Sequence, residues 1–316
     1  MNWEDHDQEK QELTEELLLL SLIDIRKLFE SILKEIMFEL SNMYIRLERH
    51  GELTYHDVKR HRDLDRFQRR VVTQTRQLGK KNREIIERLL EDTYDLSYSY
   101  MSYSIETQSD VVLKNATPHL PEILAKVKDN PIKGLKLEPA MERDRAIITS
   151  NINKGIERGF KAGETYAGIA KEIQKEFDSS YGRAVKISRT EAHRVREQAS
   201  HESAMNSHRQ GVLMNKTWKN MKDQRVRPGR GIGKKAAKGG ADHVNMEGQK
   251  RMVDKVFNLK PNGTAQTPGT SGIAGQDINC RCYASYRVER IEKQDKKKAA
   301  EKTYKDWKAL KDKGSS

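Results

Sequence analysis

Leu22-Ile23-Asp24-Ile25-Arg26-Lys27-Leu28-Phe29-Glu30-Ser31-Ile32-Leu33-Lys34-Glu35-Ile36-Met37-Phe38-Glu39-Leu40-Ser41-Asn42-Met43-Tyr44-Ile45-Arg46-Leu47 is the stretch from which the fold is read. Leu22, Ile25, Phe29, Ile32, Ile36, Leu40, Met43 and Leu47 recur at steps of three and four, which places them on one stripe of a long α-helix. His50-Gly51 supplies a C-terminal glycine stop. A second helical stretch starts near Thr54 and carries Val58, Phe67, Val71, Leu78, Ile85, Leu89 and Leu96 toward Leu113, with Pro118 and Pro121 closing it. Two such helices, antiparallel, bury one stripe against the other and leave charged faces wet. Tyr94, Tyr98, Tyr100 and Tyr103 fit base stacking or, more commonly, core packing.

Downstream, Pro131, Gly134 and Pro139 among lysines mark a linker. Helical periodicity returns from Met141 through Ile148, Ile152 and Ile156, and Gly159 and Gly163 interrupt it. Thr165 reads as the N-cap of a helix with Ile169, Ile173 and Phe177, and a further helix is expected from Ala184 to His208, after Tyr181-Gly182. At Gly211 the pattern changes to short apolar pieces, with strands expected at Lys216–Lys219, Arg251–Phe257 and Arg281–Val288. The basic, glycine-rich run Arg225–Gly240 can hardly hold a core and reads as a loop. The expectation is therefore an α+β chain: a long N-terminal helical hairpin region, followed by a mixed domain of helices and a small antiparallel β-sheet. The expected divisions are 1–117, a linker at 118–140, 141–288, and a basic tail at 289–316, taken as a charged helix or a disordered segment.

The 316 residues are 34% charged and 35% hydrophobic, so much of the chain must lie on solvated faces. The net charge of +13 is unevenly placed. Residues 1–50 carry 6 Lys/Arg against 12 Asp/Glu, while 211–260 carry 13 against 4 and 286–316 carry 11 against 6. Such asymmetry suggests a protein partner at the acidic end and a polyanion at the basic end, although lysine-rich faces also serve solubility alone. The acidic opening Met1-Asn2-Trp3-Glu4-Asp5 lacks the form of a signal peptide, and the longest apolar run, Leu17–Leu20, is far short of the ~20 residues of a membrane span. The expectation is a soluble protein made in a reducing cytoplasm.

Three clusters have the residue types of a site. In Ser188-Arg189-Thr190-Glu191-Ala192-His193-Arg194, a buried Arg–Glu pairing that anchors the helix is favoured over a catalytic Glu/His pair, and Arg189 and Glu191, two apart, require different partners. Trp218 precedes Asp223-Gln224-Arg225-Val226-Arg227, and then comes Asp242-His243 with Gly248. Asp277-Ile278-Asn279-Cys280-Arg281-Cys282 holds both cysteines of the chain; on a strand their sulfurs share a face opposite Arg281. With His243 they offer three zinc ligands and no evident fourth, so two buried thiols beside a packed histidine is the default and no cofactor is expected. The Gly229–Lys235 run lacks the spacing of a phosphate-binding loop, and no nucleophile–base set is apparent, so no catalytic residues are assigned.

Taken in order, Arg189-Thr190-Glu191, Trp218 with Asp223, Arg225 and Arg227, His243 with Gly248, and Asn279-Cys280-Arg281-Cys282 make Met141 to Tyr286 resemble the phage Mu protein F-like head-morphogenesis domain. No single motif is specific; the match lies in all four occurring in sequence. The insert between Arg227 and His243 is longer than the family pattern, and Glu247 stands where an Asp is usual before the glycine. The resemblance implies a non-enzymatic minor head protein of a tailed phage, lying in the capsid interior near the portal after assembly in the host cytoplasm. Its expected partners are the portal protein, the capsid interior and double-stranded DNA of any sequence, with no membrane. DNA contact is expected from Arg225, Arg227, Arg230, Lys234, Lys235 and Lys238, because phosphate contacts are sequence-independent. A scaffold that binds only protein and a metal-dependent hydrolase are the alternatives.

Overall fold

The computed structural model describes residues 2–49, 56, 62–118, 137–228, 240–292 and 303–314. The described elements are α1 (Trp3–Arg49), α2 (Asp63–Ser109), α3 (Leu137–Lys161), α4 (Tyr166–Arg209), β1 (Val212–Lys219), a 3-10 turn (Val244–Met246), β2 (Lys250–Met252), β3 (Phe257–Asn258), β4 (Thr264–Ala265), α5 (Ala274–Asp277), β5 (Tyr283–Ile291) and α6 (Tyr304–Gly314). The α+β expectation holds. The chain divides into two compact units: one of residues 1–19, 88–136 and 189–316, the other of 20–87 and 137–188.

The second unit is wholly helical. The entire α1 stripe from Leu22 to Leu47 is buried, with Ile25 and Leu40 fully so. It packs with Phe67, Val71 and Leu78 of α2, Ile148, Ile152 and Ile156 of α3, and Ile169, Ile173 and Phe177 of α4 in the core. Phe29 meets Phe177 edge-to-face at 6.3 Å, and Tyr44 stacks on Phe160 at 5.5 Å. Thr165 caps α4 as expected, its Oγ1 accepting from the Gly168 N–H at 3.3 Å. The expected break at Tyr181-Gly182 is absent: α4 runs through it. An interior glycine costs about 1 kcal/mol, less than the burial of Phe177 and Ala184 on either side contributes. The helix stop at His50-Gly51 and most of the linker lie outside the described residues.

The first unit carries the sheet. β1 is central, antiparallel to β2 and to β5. β3 and β4 form a separate hairpin. The expected strands are present with shifted ends: β1 starts at Val212, the Arg251–Phe257 run divides into β2 and β3, and β5 begins only at Tyr283. Fully buried Lys216 of β1 gives its ammonium to the Gln266 carbonyl and side-chain oxygen at 2.8 and 3.0 Å. Burial still pushes its pKa down to about 8.

The four tyrosines of α2 are core residues, not an open stacking platform. Tyr100 and Tyr103 pack against Tyr304, and Tyr94 gives its hydroxyl to Glu202. The tail after residue 302 is a helix laid on α2. Trp307 Nε1 donates to Glu106 at 2.6 Å, Lys308 pairs with Asp95 at 2.8 Å and Lys311 with Glu106 at 2.6 Å. Two of its lysines are thus neutralised within the fold.

His201 of α4 is tilted against Tyr286, and its Nδ1 is buried without a hydrogen bond. Burial, then Lys216 and Arg209, push its pKa down to about 3 from 6.5. The unfolded chain therefore binds the extra proton between these values. Stability is complete above pH ~6.5 and declines as pH falls toward about 3. Urea midpoints measured across this range should fall with acid in the wild type and fall less steeply in His201→Phe; equal slopes would remove His201 from the account.

Candidate functional site

Three loops of the first unit meet at the β1 end that carries Trp218. Gly248 permits the first approach. Its φ of +80° turns the chain so that its N–H donates to the Trp218 carbonyl at 2.9 Å, while the Trp218 N–H donates to Gln249. Glu247, in place of the family's Asp, accepts from the Asn220 N–H at 2.6 Å. Trp218 is fully buried, edge-on to His243 and to Phe257, each at 5.4 Å.

Arg227 connects the second and third loops. Its carbonyl accepts from the N–H groups of His243 and Val244, both at 3.0 Å. Its guanidinium donates to the carbonyls of Gln276 and Ile278. Expected on a phosphate, this side chain is instead spent on two carbonyls that present the cysteine turn. Asn279 adopts φ +54°, which asparagine tolerates, and its N–H donates to Thr190 Oγ1 at 3.2 Å. Arg281 turns the other way and pairs with Asp223 at 2.7 Å, so two of the sequence motifs are joined by one ion pair.

Cys280 and Cys282 precede β5 and are not on it, yet both sulfurs face the same side, as the alternation argument expects. They lie 3.6 and 3.5 Å from His243 Nδ1, and the three donor atoms fall within 4.8 Å of one another, all buried. His243 Nε2 is 2.8 Å from Gln276 Oε1, a bond only an Nε2–H can make. The Nδ1 lone pair is thereby directed at the thiols. Of the two sulfurs, Cys280 is held as the more acidic, chiefly by the hydrogen bond from the Cys282 thiol; that shared proton and burial push Cys282 up. The Trp218 indole N–H neighbours the Cys282 sulfur and is buried without a hydrogen bond.

On the α4 side, Glu191 is buried and paired with Arg194 at 2.8 Å, three residues on. A buried Arg–Glu pair exists as expected, but Arg189 is not in it: that residue is exposed on the wall of a cleft of about 1640 Å³. Burial pushes the Glu191 carboxyl upward in spite of Arg194. The cleft faces Glu4, Asp7 and Glu12 of α1 on one side and Arg196, Arg225 and Arg281 on the other, and reaches Cys280. Arg225 is exposed; Arg230, Lys234, Lys235 and Lys238 lie outside the described residues.

Gln276 and Gly269 were not singled out from sequence, and Asp277 and His193 lay in the named clusters without these roles. Gln276 sets the His243 tautomer. Buried Asp277 accepts from Ser271 Oγ and from the Gly272 N–H at 2.8 and 2.7 Å, closing the loop ahead of the cysteines. His193 Nε2 donates to the Cys282 carbonyl at 2.6 Å. Gly269 lies against that ring. No local pattern reveals Gln276 or Gly269, because each acts on a segment distant in sequence.

Comparison with known proteins follows this geometry. The family model described as Phage Mu protein F like protein matches residues 150–285, so the resemblance read from the motifs is borne out over that stretch. The chain is 29% identical over 264 residues to Minor head protein GP7 of Bacillus phage SPP1, covering 83% of this chain and 80% of that one. It is 25% identical over 216 residues to NAD(+)--arginine ADP-ribosyltransferase EFV of Enterococcus faecalis (strain ATCC 700802 / V583), covering 66% of this chain but only 41% of that relative. No solved structure matches.

A Cβ at Gly269 would meet His193 Nδ1 at 2.6 Å, and the φ of +81° there disfavours any side chain. Gly269→Ala should therefore destabilise by roughly 2–4 kcal/mol. Gly275→Ala, where a Cβ meets nothing within 4 Å, serves as the control. Equal chemical-denaturation midpoints for the two variants would contradict the packing described.

Proposed function

We propose that this chain, Mu F-like over residues 150–285, is a non-enzymatic minor head protein of a phage, associated with the portal and capsid interior and touching packaged DNA. The observation that carries the reading is the match to a minor head protein along 83% of the chain, with both units included. The buried, mutually bonded Cys280, Cys282 and His243 suit a structural part. The ADP-ribosyltransferase named above is matched over less than half its length, which leaves its activity to the remainder of that protein in this reading.

Docking falls to the helical unit. On α1, Leu20, Ile23, Phe38 and Ile45 are exposed, Phe38 by 66%, and helical geometry places them on one face opposite the buried stripe. Lys27 and Lys34 lie on the same face between Ile23 and Phe38, and such a mixed apolar and basic stripe fits a protein partner. In co-expression with the portal and shell proteins of the parent phage, the wild type should enter assembled heads in few copies. Phe38→Asp with Ile45→Asp should be excluded from them while retaining its helical circular dichroism. Full incorporation of that variant would discard this face.

DNA contact is assigned to Arg225, Arg230, Lys234, Lys235 and Lys238; Arg227 is set aside because its guanidinium is already engaged. Binding to random-sequence duplex should weaken steeply with salt, log K changing by about 0.9 per phosphate contact for each unit of log salt. Replacing the five by Ala should lower both affinity and slope. The second reading, a scaffold that binds protein alone, is favoured by the internal pairing of Lys308 and Lys311. It predicts no duplex binding at physiological salt and head incorporation untouched by the five-fold variant.

A further inference from the structure

We infer that Cys280, Cys282 and His243 form a zinc site that fastens the His243 loop to the cysteine turn. The donors are of the type zinc selects, two thiols and an imidazole, and their ligand atoms already converge within 4.8 Å of one another in a buried position. Convergence alone is common, and two further observations give it direction. Gln276 takes the Nε2 proton of His243 at 2.8 Å, and its own amide is fixed on the Lys260 carbonyl at 3.1 Å. This is how an outer residue fixes a metal-binding imidazole: the tautomer is set and the free lone pair is aimed at the ion. The Trp218 indole N–H, buried and without a hydrogen bond, neighbours the Cys282 sulfur. A thiolate on a metal is a much better acceptor than a neutral thiol, so a bound ion gives that orphan donor a partner.

Three protein donors leave a fourth position, which water or an incoming ligand would fill. The cleft that reaches Cys280 gives an ion its route in. The adjacent-but-one cysteines are both free, and parallel side chains of this kind make poor disulfides. Zinc here adds no chemistry to the proposed function. It closes a ring between segments 37 residues apart.

The test uses the full chain purified without a histidine tag, under reducing and chelator-free conditions. About one equivalent of zinc should co-purify. After its removal, cobalt(II) should produce sulfur-to-metal charge transfer and the ligand-field bands of a tetrahedral site. Cys282→Ser and His243→Gln should abolish the charge-transfer intensity or sharply reduce it. Gln276→Ala, which leaves every donor in place, should weaken zinc binding by roughly 10–100-fold. Because Cys282→Ser or His243→Gln can fail to fold, the wild-type cobalt spectrum and Gln276→Ala decide the matter independently. Folded wild-type protein that gives no cobalt–sulfur band in excess metal would overturn the proposal. So would zinc retained at full stoichiometry by folded Cys282→Ser, or unchanged affinity in Gln276→Ala.

Discussion

A single arginine holds two loops whose contact residues His243 and Gln276 lie 33 residues apart, and the region of residues 150–285 is organised around how it does so. Arg227 receives the His243 and Val244 N–H groups on its carbonyl and spends its guanidinium on the carbonyls of Gln276 and Ile278. Hydrogen bonds to a charged group are worth about 1.5–3 kcal/mol each, and a planar fork delivers two with one side chain. The His243 Nε2 bond to Gln276 Oε1 at 2.8 Å is a second tie between the same two loops. Trp218, edge-on to His243 and locked between Gly248 and Gln249, then closes the site from the β1 side.

The same economy governs charge. Of the basic residues that the sequence places together near the carboxyl end, several serve the fold itself. Arg281 holds Asp223, Lys308 and Lys311 hold Asp95 and Glu106, and Lys216 is buried on Gln266. The acidic amino-terminal turns are likewise partly consumed, Asp7 by Arg287 at 3.0 Å and Glu9 by Tyr100 at 2.5 Å. Net charge by segment is thus a poor measure of charge available to partners.

What could be read in the sequence was whatever depends on near neighbours. The α1 stripe is buried residue for residue, the Thr165 cap is in place, and the change at Gly211 marks the start of the sheet. His243, Cys280 and Cys282 could be grouped by chemistry, and they do converge. What failed depended on distant contacts. Gly182 reads as a break, yet buried packing on both sides carries α4 through it. The Glu191–Arg194 pair, by contrast, meets the expectation that Glu191 and Arg189 take different partners, because i and i+3 share a helix face whereas i and i−2 do not. Arg227 looks like a phosphate ligand from composition and is a loop tie in the fold. Gln276 and Gly269 carry no local signal, since one matters for an imidazole tautomer and the other for the room a distant ring needs.

The claim that Arg227 joins the His243 loop to the cysteine turn is tested most directly by amide hydrogen exchange on Arg227→Lys. Lysine keeps the charge but has no fork to hold both carbonyls. The account predicts that protection falls together over residues 243–249 and 276–282, while the helical unit of residues 20–87 keeps its wild-type exchange. Loss confined to the neighbourhood of residue 227, or no loss at the cysteine turn, would contradict it.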